Sequence, residues 1–284
     1  MHENPLGSLL KNGALLRILE AVNGLEAYVA EHAFAPDAEG NQITFDGLWL
    51  SGLCHAAAAG MPDDGRMPLS EKLTAVRTIR RVSQKPLLVD CDNGQGDFSH
   101  TARAYAKAGV SGLVVEDKCG QKHNSLYGSA RVQLLEDPRI FAQKLSDAKA
   151  HAPEILLFAR LESLIAGQSM EDALERANIY AKAGADGIVI HRRAGTGILS
   201  SVQAAAAGNA GGMHSHHVPT AVLSYPAPSG SGYGDLRKPS DKKRLQSHVP
   251  DRRIHPCRRQ QWGGGSAVLR THNGNSKDHG GGSP

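Results

Sequence analysis

Two hydrophobicity patterns alternate along the first 195 residues. Short, near-continuous apolar runs stand at 15–19, 47–51, 86–90, 112–116, 155–160 and 187–191. Runs of that length with polar flanks predict strands, and the missing polar alternation is expected of parallel strands buried on both faces. Amphipathic stretches between them predict helices over 70–82, 137–149 and 169–182. In the last, Ser169 is placed to cap, Ala173, Ala177 and Tyr180 share a face, and Gly184 follows the end. YAKAGVSGLVVE at 105–116 returns as YAKAGADGIVIH at 180–191, one helix–glycine turn–strand module used twice. A 75-residue offset is too long for a solenoid repeat and suits two βα units separated by a third.

The predicted strands end on polar residues: Glu20, Ser51, Asp90 with Asp92, Glu116 with Asp117, Arg160 with Glu162, and His191. In a (β/α)8 barrel these exits converge on one face, where catalytic groups sit. A doubly wound sheet also alternates β and α, but no GxGxxG loop follows the first strand. The expected fold is therefore α/β, a TIM-like (β/α)8 barrel, with six βα units legible in a catalytic region spanning 1–195.

After Ala194 the pattern stops. Residues 196–284 hold 11 Lys+Arg and 4 Asp, with no Glu and no Phe, leaving 21 Lys+Arg against 24 Asp+Glu in the first 195. The net charge of +4 thus belongs to the Gly/Ser/Pro/Arg-rich tail. Such composition predicts disorder, or translation in a shifted frame; both readings stay open. Without further units, the barrel would expose strand edges. The basic tail could bind nucleic acid nonspecifically, but Tyr225, Tyr233 and Trp262 are sparse and no recognition module is legible, so no specific nucleic-acid partner is expected. HSHH at 214–217 is a possible adventitious metal site in this tail.

Candidate chemistry gathers at the strand exits. Asp90 and Asp92 of LLVDCDNGQGD can both face the barrel mouth if the strand ends between them, and with Glu116 they could hold one hard divalent cation, most simply Mg²⁺. An N-cap aspartate followed by a turn aspartate is the plainer alternative. Arg160 ends a buried run and needs an anion. Either it pairs structurally with Glu162 or Asp90, or it recognises phosphate or carboxylate. His191 is either a satisfied rim histidine or a site residue. In GLVVEDKCGQKHNSLYG, Cys119 beside Lys118 and Lys122 could be a nucleophile, Glu116 and His123 could be metal ligands, or the loop could be a solvated turn.

No apolar run approaches 18 residues, and the N-terminal residues lack a basic segment followed by an apolar one, predicting no membrane span and no signal peptide. Cys54, Cys91, Cys119 and Cys257 show no CxxC spacing, so free thiols in a reducing cytoplasm are expected.

The motifs WLSGL (49–53), GMPDD (60–64), DCDNGQG (90–96), EDKCGQKHNS (116–125), ARLESLIAG (159–167) and IVIHRR (188–193) together resemble the phosphoenolpyruvate mutase/isocitrate lyase superfamily, most closely its mutases. The resemblance covers roughly 15–193 and implies a cytoplasmic Mg²⁺ enzyme, homo-oligomeric, interconverting phosphoenolpyruvate and phosphonopyruvate for phosphonate natural-product (antibiotic) biosynthesis. It implies Asp90 as direct metal ligand, with Asp92 and Glu116 acting through water. Ser51, Gly52, Leu53 and Ser125 become substrate-binding. Asp63 becomes the essential carboxylate, as nucleophile or orienting group. Lys122 and Asn124 sit on a gate that reaches the transferring phosphoryl group, and Arg160 and His191 hold that group. Family lyases place their cysteine where Asn124 stands, so Cys119 is incidental by this resemblance. Phosphonopyruvate hydrolases tend to carry Thr there. Hydrolase, 2-methylisocitrate-type lyase, and an inactive remnant with a nucleic-acid-binding tail are the alternatives. The chain departs from the family in a shorter 96–109 segment, in Gln95 for an aromatic, in Gln121 for a proline, and in the tail, where only Val218-Pro219-Thr220 resembles the end of a seventh strand.

Overall fold

The computed structural model describes residues 4–11, 16–94, 96–122, 124, 133–192, 220–224 and 267–269. Ser125, His123, Gln95, the histidines at 214–217, Cys257 and the tail aromatics lie outside these residues. After a short helix α1 (Pro5–Lys11), the chain runs β1 (Leu16–Glu20), α2 (Gly24–His32), a hairpin of β2 (Phe34–Pro36) and β3 (Gln42–Thr44), β4 (Gly47–Leu50), α3 (Gly52–Ala58), α4 (Leu69–Arg80), β5 (Leu87–Asp90), α5 (Phe98–Lys107), β6 (Gly112–Glu116), α6 (Pro138–His151), β7 (Leu156–Leu161), α7 (Met170–Lys182) and β8 (Gly187–Arg192). Strands β1, β4, β5, β6, β7 and β8 lie side by side in that order, all parallel, with helices between them. This is the TIM-like architecture expected from the strand–helix alternation.

Strand parity organises the interior. Ile18, Trp49, Leu88, Val114, Phe158 and Val189, one from each strand, pack together with Leu6 and Leu10 of α1. Their neighbours Leu48, Leu50, Leu87, Val89, Leu113, Val115, Leu157, Ala159, Ile188 and Ile190 belong to the other cluster, shared with the helices. Side chains alternate with period two, so the residue two beyond each inner one also faces inward. That residue is Glu20, Ser51, Asp90, Glu116, Arg160 or His191. The polar exits are the next tier of the row that forms the inner apolar layer. Gly112 belongs to this row because a Cβ there would stand 2.9 Å from the Phe158 ring.

Helix ends follow local chemistry. Ser169 caps α7 by accepting the Asp172 N–H. Asp137 caps α6 ahead of Pro138, whose missing N–H is no loss in the first turn.

Two short segments of the tail are described. Thr220–Ser224 forms β9, parallel to β8, and Ala267–Leu269 forms β10, antiparallel to β1. TAVLS and AVL are apolar and partly β-branched, and the outer edges of β8 and β1 offer unpaired backbone groups. Composition averaged over 89 residues hides such short runs. Of Val218-Pro219-Thr220, Thr220 is the first residue of β9, and the other two lie outside the described residues. An antiparallel β10 also breaks the all-parallel pattern of a full (β/α)8 barrel.

Phe158 fills the floor of the barrel with 1% exposure. Phe158→Ala should therefore cost about 3–5 kcal/mol of stability, read as an earlier urea midpoint. An unchanged midpoint would mean that this inner layer is not packed as described.

Candidate active site

Three carboxylates end up together. Ligand-capable oxygens of Asp90, Asp92 and Glu116, all buried, lie within 4.8 Å of one another. Asp90 and Glu116 arrive by strand parity. Asp92 gets there through the turn after β5, where it is the only non-glycine described residue with positive φ, 53°, a conformation that aspartate tolerates better than most. Its N–H donates to Asp90 Oδ1 at 3.0 Å. Cys91, between them, joins the helix-side cluster.

Cations surround this set. Arg160 donates from Nε to Glu162 Oε1 at 2.8 Å, from Nη1 to Asp90 Oδ2 at 3.2 Å, and from Nη2 to Glu116 Oε1. Both structural partners weighed for Arg160 from the sequence are present at once. Lys118 pairs with Glu116 Oε2 at 2.7 Å, and Lys72 with Asp92 Oδ2 at 2.6 Å. Lys122 bonds Asp92 Oδ1 and, at 2.6 Å, Asp63 Oδ1. Asn124 donates to the other Asp63 oxygen at 2.7 Å. His191 Nδ1 lies 2.7 Å from Glu162 Oε1.

Burial pushes the Asp90 carboxyl up, but the charges of Arg160, Lys122 and Lys72 outweigh it and hold it well below the usual carboxylate range. Glu162 behaves alike: burial raises it, and Arg160 with His191 brings it down. For Lys122, burial works against the charge, yet Asp90, Asp92 and Asp63 keep the ammonium above its ordinary value. The alternating charges thus favour the ionised forms of Asp90, Glu162 and Lys122, whereas at Lys118 burial prevails and lowers the ammonium below its ordinary value.

The remaining sequence candidates divide. Gly52 lines the cluster, since a Cβ there would stand 3.1 Å from Asp92 Oδ1 and from Lys122 Nζ. Ser51 is buried, but its hydroxyl accepts the Cys54 N–H at 3.0 Å as the cap of α3. Leu53 is half-buried in the same first turn, whose amides have no carbonyl partner within the helix. Cys119 Sγ lies 3.5 Å from the Leu135 carbonyl oxygen, in a stem where 117–119 pairs with 134–136 and clamps the base of the loop carrying Lys122 and Asn124.

Sequence reasoning missed Lys72 as a site residue. Its signal was a lysine on the apolar row Leu69, Lys72, Val76, Ile79 of α4, the buried face of the helix. It also missed the support behind Glu162. Asp117, fully buried, accepts the Glu162 N–H at 2.8 Å, the Tyr180 hydroxyl at 2.9 Å and Arg176 Nη1 at 3.3 Å. α7 thereby reaches the residue that holds both Arg160 and His191.

A sequence model of the family described as "Phosphoenolpyruvate phosphomutase" matches residues 6–222, well past the boundary read at 195 and into β9. The chain belongs to this family. It is 37% identical over 195 residues to the phosphoenolpyruvate phosphomutase of Streptomyces hygroscopicus, covering 66% of this chain and 58% of that protein. It is 33% identical over 193 residues to the phosphonopyruvate hydrolase of Variovorax sp. (strain Pal2), covering 66% and 63%. The chain therefore spans roughly three-fifths of these curated relatives. Several 2-methylisocitrate lyases match at 31–33% identity. Among solved structures, the phosphoenolpyruvate phosphomutase of Streptomyces platensis subsp. rosaceus superposes with a TM-score of 0.65 at 31% identity, covering 78% of this chain and 72% of that one. A phosphonopyruvate hydrolase complexed with oxalate and Mg²⁺ gives 0.63 at 28%, with the same coverage. An enzyme family whose members isomerise, hydrolyse or cleave is thus established. Among the described residues, no helix is long and apolar enough to cross a membrane.

The donor set fits a hard cation. It is all oxygen, anionic and buried, as Mg²⁺ or another divalent ion of that kind requires, and the glycine at 52 leaves space beside it.

Burial raises the Asp117 carboxyl to about 6 against the pull of its three donors. A carboxyl that holds its proton more tightly folded than unfolded stabilises the fold below its unfolded value near 3.8, and that contribution is lost as pH rises through about 6. The loss is on the order of 3 kcal/mol. Asp117→Asn should flatten the dependence of the urea midpoint on pH between these values. An unaltered slope in the variant would show that Asp117 does not titrate there.

Proposed function

We propose that this chain is a Mg²⁺-dependent phosphoenolpyruvate mutase that interconverts phosphoenolpyruvate and phosphonopyruvate. The observation that carries the reading is the double engagement of Asp63 by Lys122 and Asn124, 59 and 61 residues away. It brings Lys122 and Asn124, which follow β6, to the carboxylate cluster. Asn124 is also the position where family resemblance puts Asn in mutases and Thr in hydrolases.

The reaction breaks the bond between phosphorus and the enol oxygen and forms one between phosphorus and the methylene carbon. The enol oxygen becomes a ketone oxygen, and no atom, proton or water is gained or lost. A Mg²⁺ held by Asp90, Asp92 and Glu116 would supply positive charge to the pyruvate enolate and carboxylate. The first-turn amides of α3 at Gly52 and Leu53 face a substrate oxygen in this reading, with Ser51 shaping the turn through its cap. Arg160 and His191, both fixed by Glu162, stabilise charge on the migrating PO₃ group. Such a group is loose and metaphosphate-like, so positioning matters more than covalent chemistry.

Asp63 acts as a latch in this scheme. Both of its oxygens accept bonds from the loop, which orients Lys122 and Asn124 toward the phosphoryl group. A closed loop also excludes water, the one reactant that turns isomerisation into hydrolysis. Phosphonate biosynthesis and the lyase alternative follow from the product: a mutase supplies a C–P bond, whereas a lyase needs the thiol that Asn124 replaces.

³¹P NMR of phosphonopyruvate with the full chain and Mg²⁺ tests the proposal. Phosphoenolpyruvate should appear, EDTA should stop its formation, and Asn124→Ala should slow it by roughly 100-fold. Inorganic phosphate as the sole product would replace the mutase by a hydrolase.

A further inference from the structure

A cavity of about 290 Å³ lies outside the carboxylate cluster, between the first turns of α4 and α5 and behind the end of β5. It is roughly twice the ~150 Å³ that accepts a benzene ring in a protein core. None of the interactions described above explains it.

Three features of its lining point to an anionic ligand. Tyr105 is fully buried, and its hydroxyl has no hydrogen-bond partner, a cost that a ligand acceptor would relieve. Burial raises the phenol far above its ordinary value, so it remains a donor. Lys72, 5% exposed, lines the same space and gives Asp92 only one of its three N–H donors in the bonds described. The α4 N-terminus, capped by Pro68 without a side-chain bond, adds its positive end nearby. The Thr101 hydroxyl also lines the cavity.

The opposing charge limits the ligand. Asp97 lines the cavity too, and its carboxylate accepts the His100 N–H at 3.1 Å. An acidic group there disfavours multiply charged anions such as phosphate esters. Leu69 and the Tyr105 ring supply apolar walls, and Cys91 and His100 complete the lining.

We propose that this cavity is a second, non-catalytic site for a small organic monocarboxylate. Its carboxylate accepts hydrogen bonds from Lys72 and Tyr105, and its apolar body lies against Leu69 and the Tyr105 ring. Because Lys72 also holds Asp92, an occupant shares a cation with the carboxylate cluster, and binding is linked to that cluster whatever reaction it performs.

The test uses benzoate as the probe and calorimetry on the full chain. Benzoate should bind at millimolar concentration and benzamide should not. Tyr105→Phe keeps the ring, removes the donor, and should weaken benzoate about tenfold, while the variant alone melts no lower than the parent because it loses only an orphaned hydroxyl. Leu69→Trp, which adds bulk to the lining, should abolish binding. Asp63→Ala should leave the benzoate affinity unchanged. The proposal is overturned if benzoate does not bind, if benzamide binds equally, if neither cavity variant changes the affinity, or if Asp63→Ala removes it, since that last result would place benzoate in the carboxylate cluster.

Discussion

Carboxylates that share one buried mouth repel each other and have lost their water, so this fold depends on the cations that stand among them. Asp63, Asp90, Asp92, Glu116 and Glu162 are met by Lys72, Lys118, Lys122 and Arg160. Removing one member of such a buried set leaves an unpaired charge at a cost of about 3–5 kcal/mol. Arg160 shows the constraint most sharply, because three carboxylates from three strand exits converge on one guanidinium. A lysine could not serve the same three oxygens in a fixed plane. The connected acids outnumber the cations by one, so the described cluster retains negative charge for a divalent ion, and with that ion in place it would favour an anionic substrate.

The barrel supplies the confinement. Each of the six parallel strands contributes at least one apolar residue to the inner layer and one polar residue to the tier above it, and the parallel register aligns those tiers, with Glu116 opposite Arg160. A one-residue slip in any strand would send its polar end to the helix side and an apolar neighbour to the mouth. Stability and chemistry therefore share a single register: Phe158 packs in the floor, and Arg160, two residues on, holds the cluster together.

Much of this was legible in the chain because the strands are short and their ends are marked. Gly112–Glu116 was placed to the residue, and the other inner strands within one. A near-continuous apolar run conceals which of its residues face inward, so the parity of Leu88 against Val89 had to come from the structure. α1 was not foreseen, since PLGSLLK is too short to show a period, and the β2–β3 hairpin is mostly exposed and carries little hydrophobic signal. The carboxylate triad was visible as acidic residues on strand exits. The link from Lys122 to Asp63 was not, because a contact across 59 residues leaves no local pattern. The Asp117–Tyr180–Arg176 support was equally hidden, although Tyr180 already stood out in the repeated YAKAG module.

That repeat carries a final distinction. Tyr105 and Tyr180 occupy the same place in two copies of one helix–turn–strand unit, and both are fully buried. Tyr180 spends its hydroxyl on Asp117 and thereby braces Glu162, His191 and Arg160. The Tyr105 hydroxyl bonds no acid; Cys91, Thr101, Lys72 and Asp97 stand with it around an open space. The same side chain on the same scaffold is therefore a brace in one unit and an unsatisfied donor in the other. The difference arises from the strand exit that each tyrosine meets: Asp117, just after β6, turns its carboxylate toward Tyr180 of α7, whereas Cys91, just after β5, lines the space beside Tyr105 of α5 with a thiol that burial keeps protonated, only a weak partner. One of the two tyrosines is complete within the chain, and the other is built to be completed by something that enters.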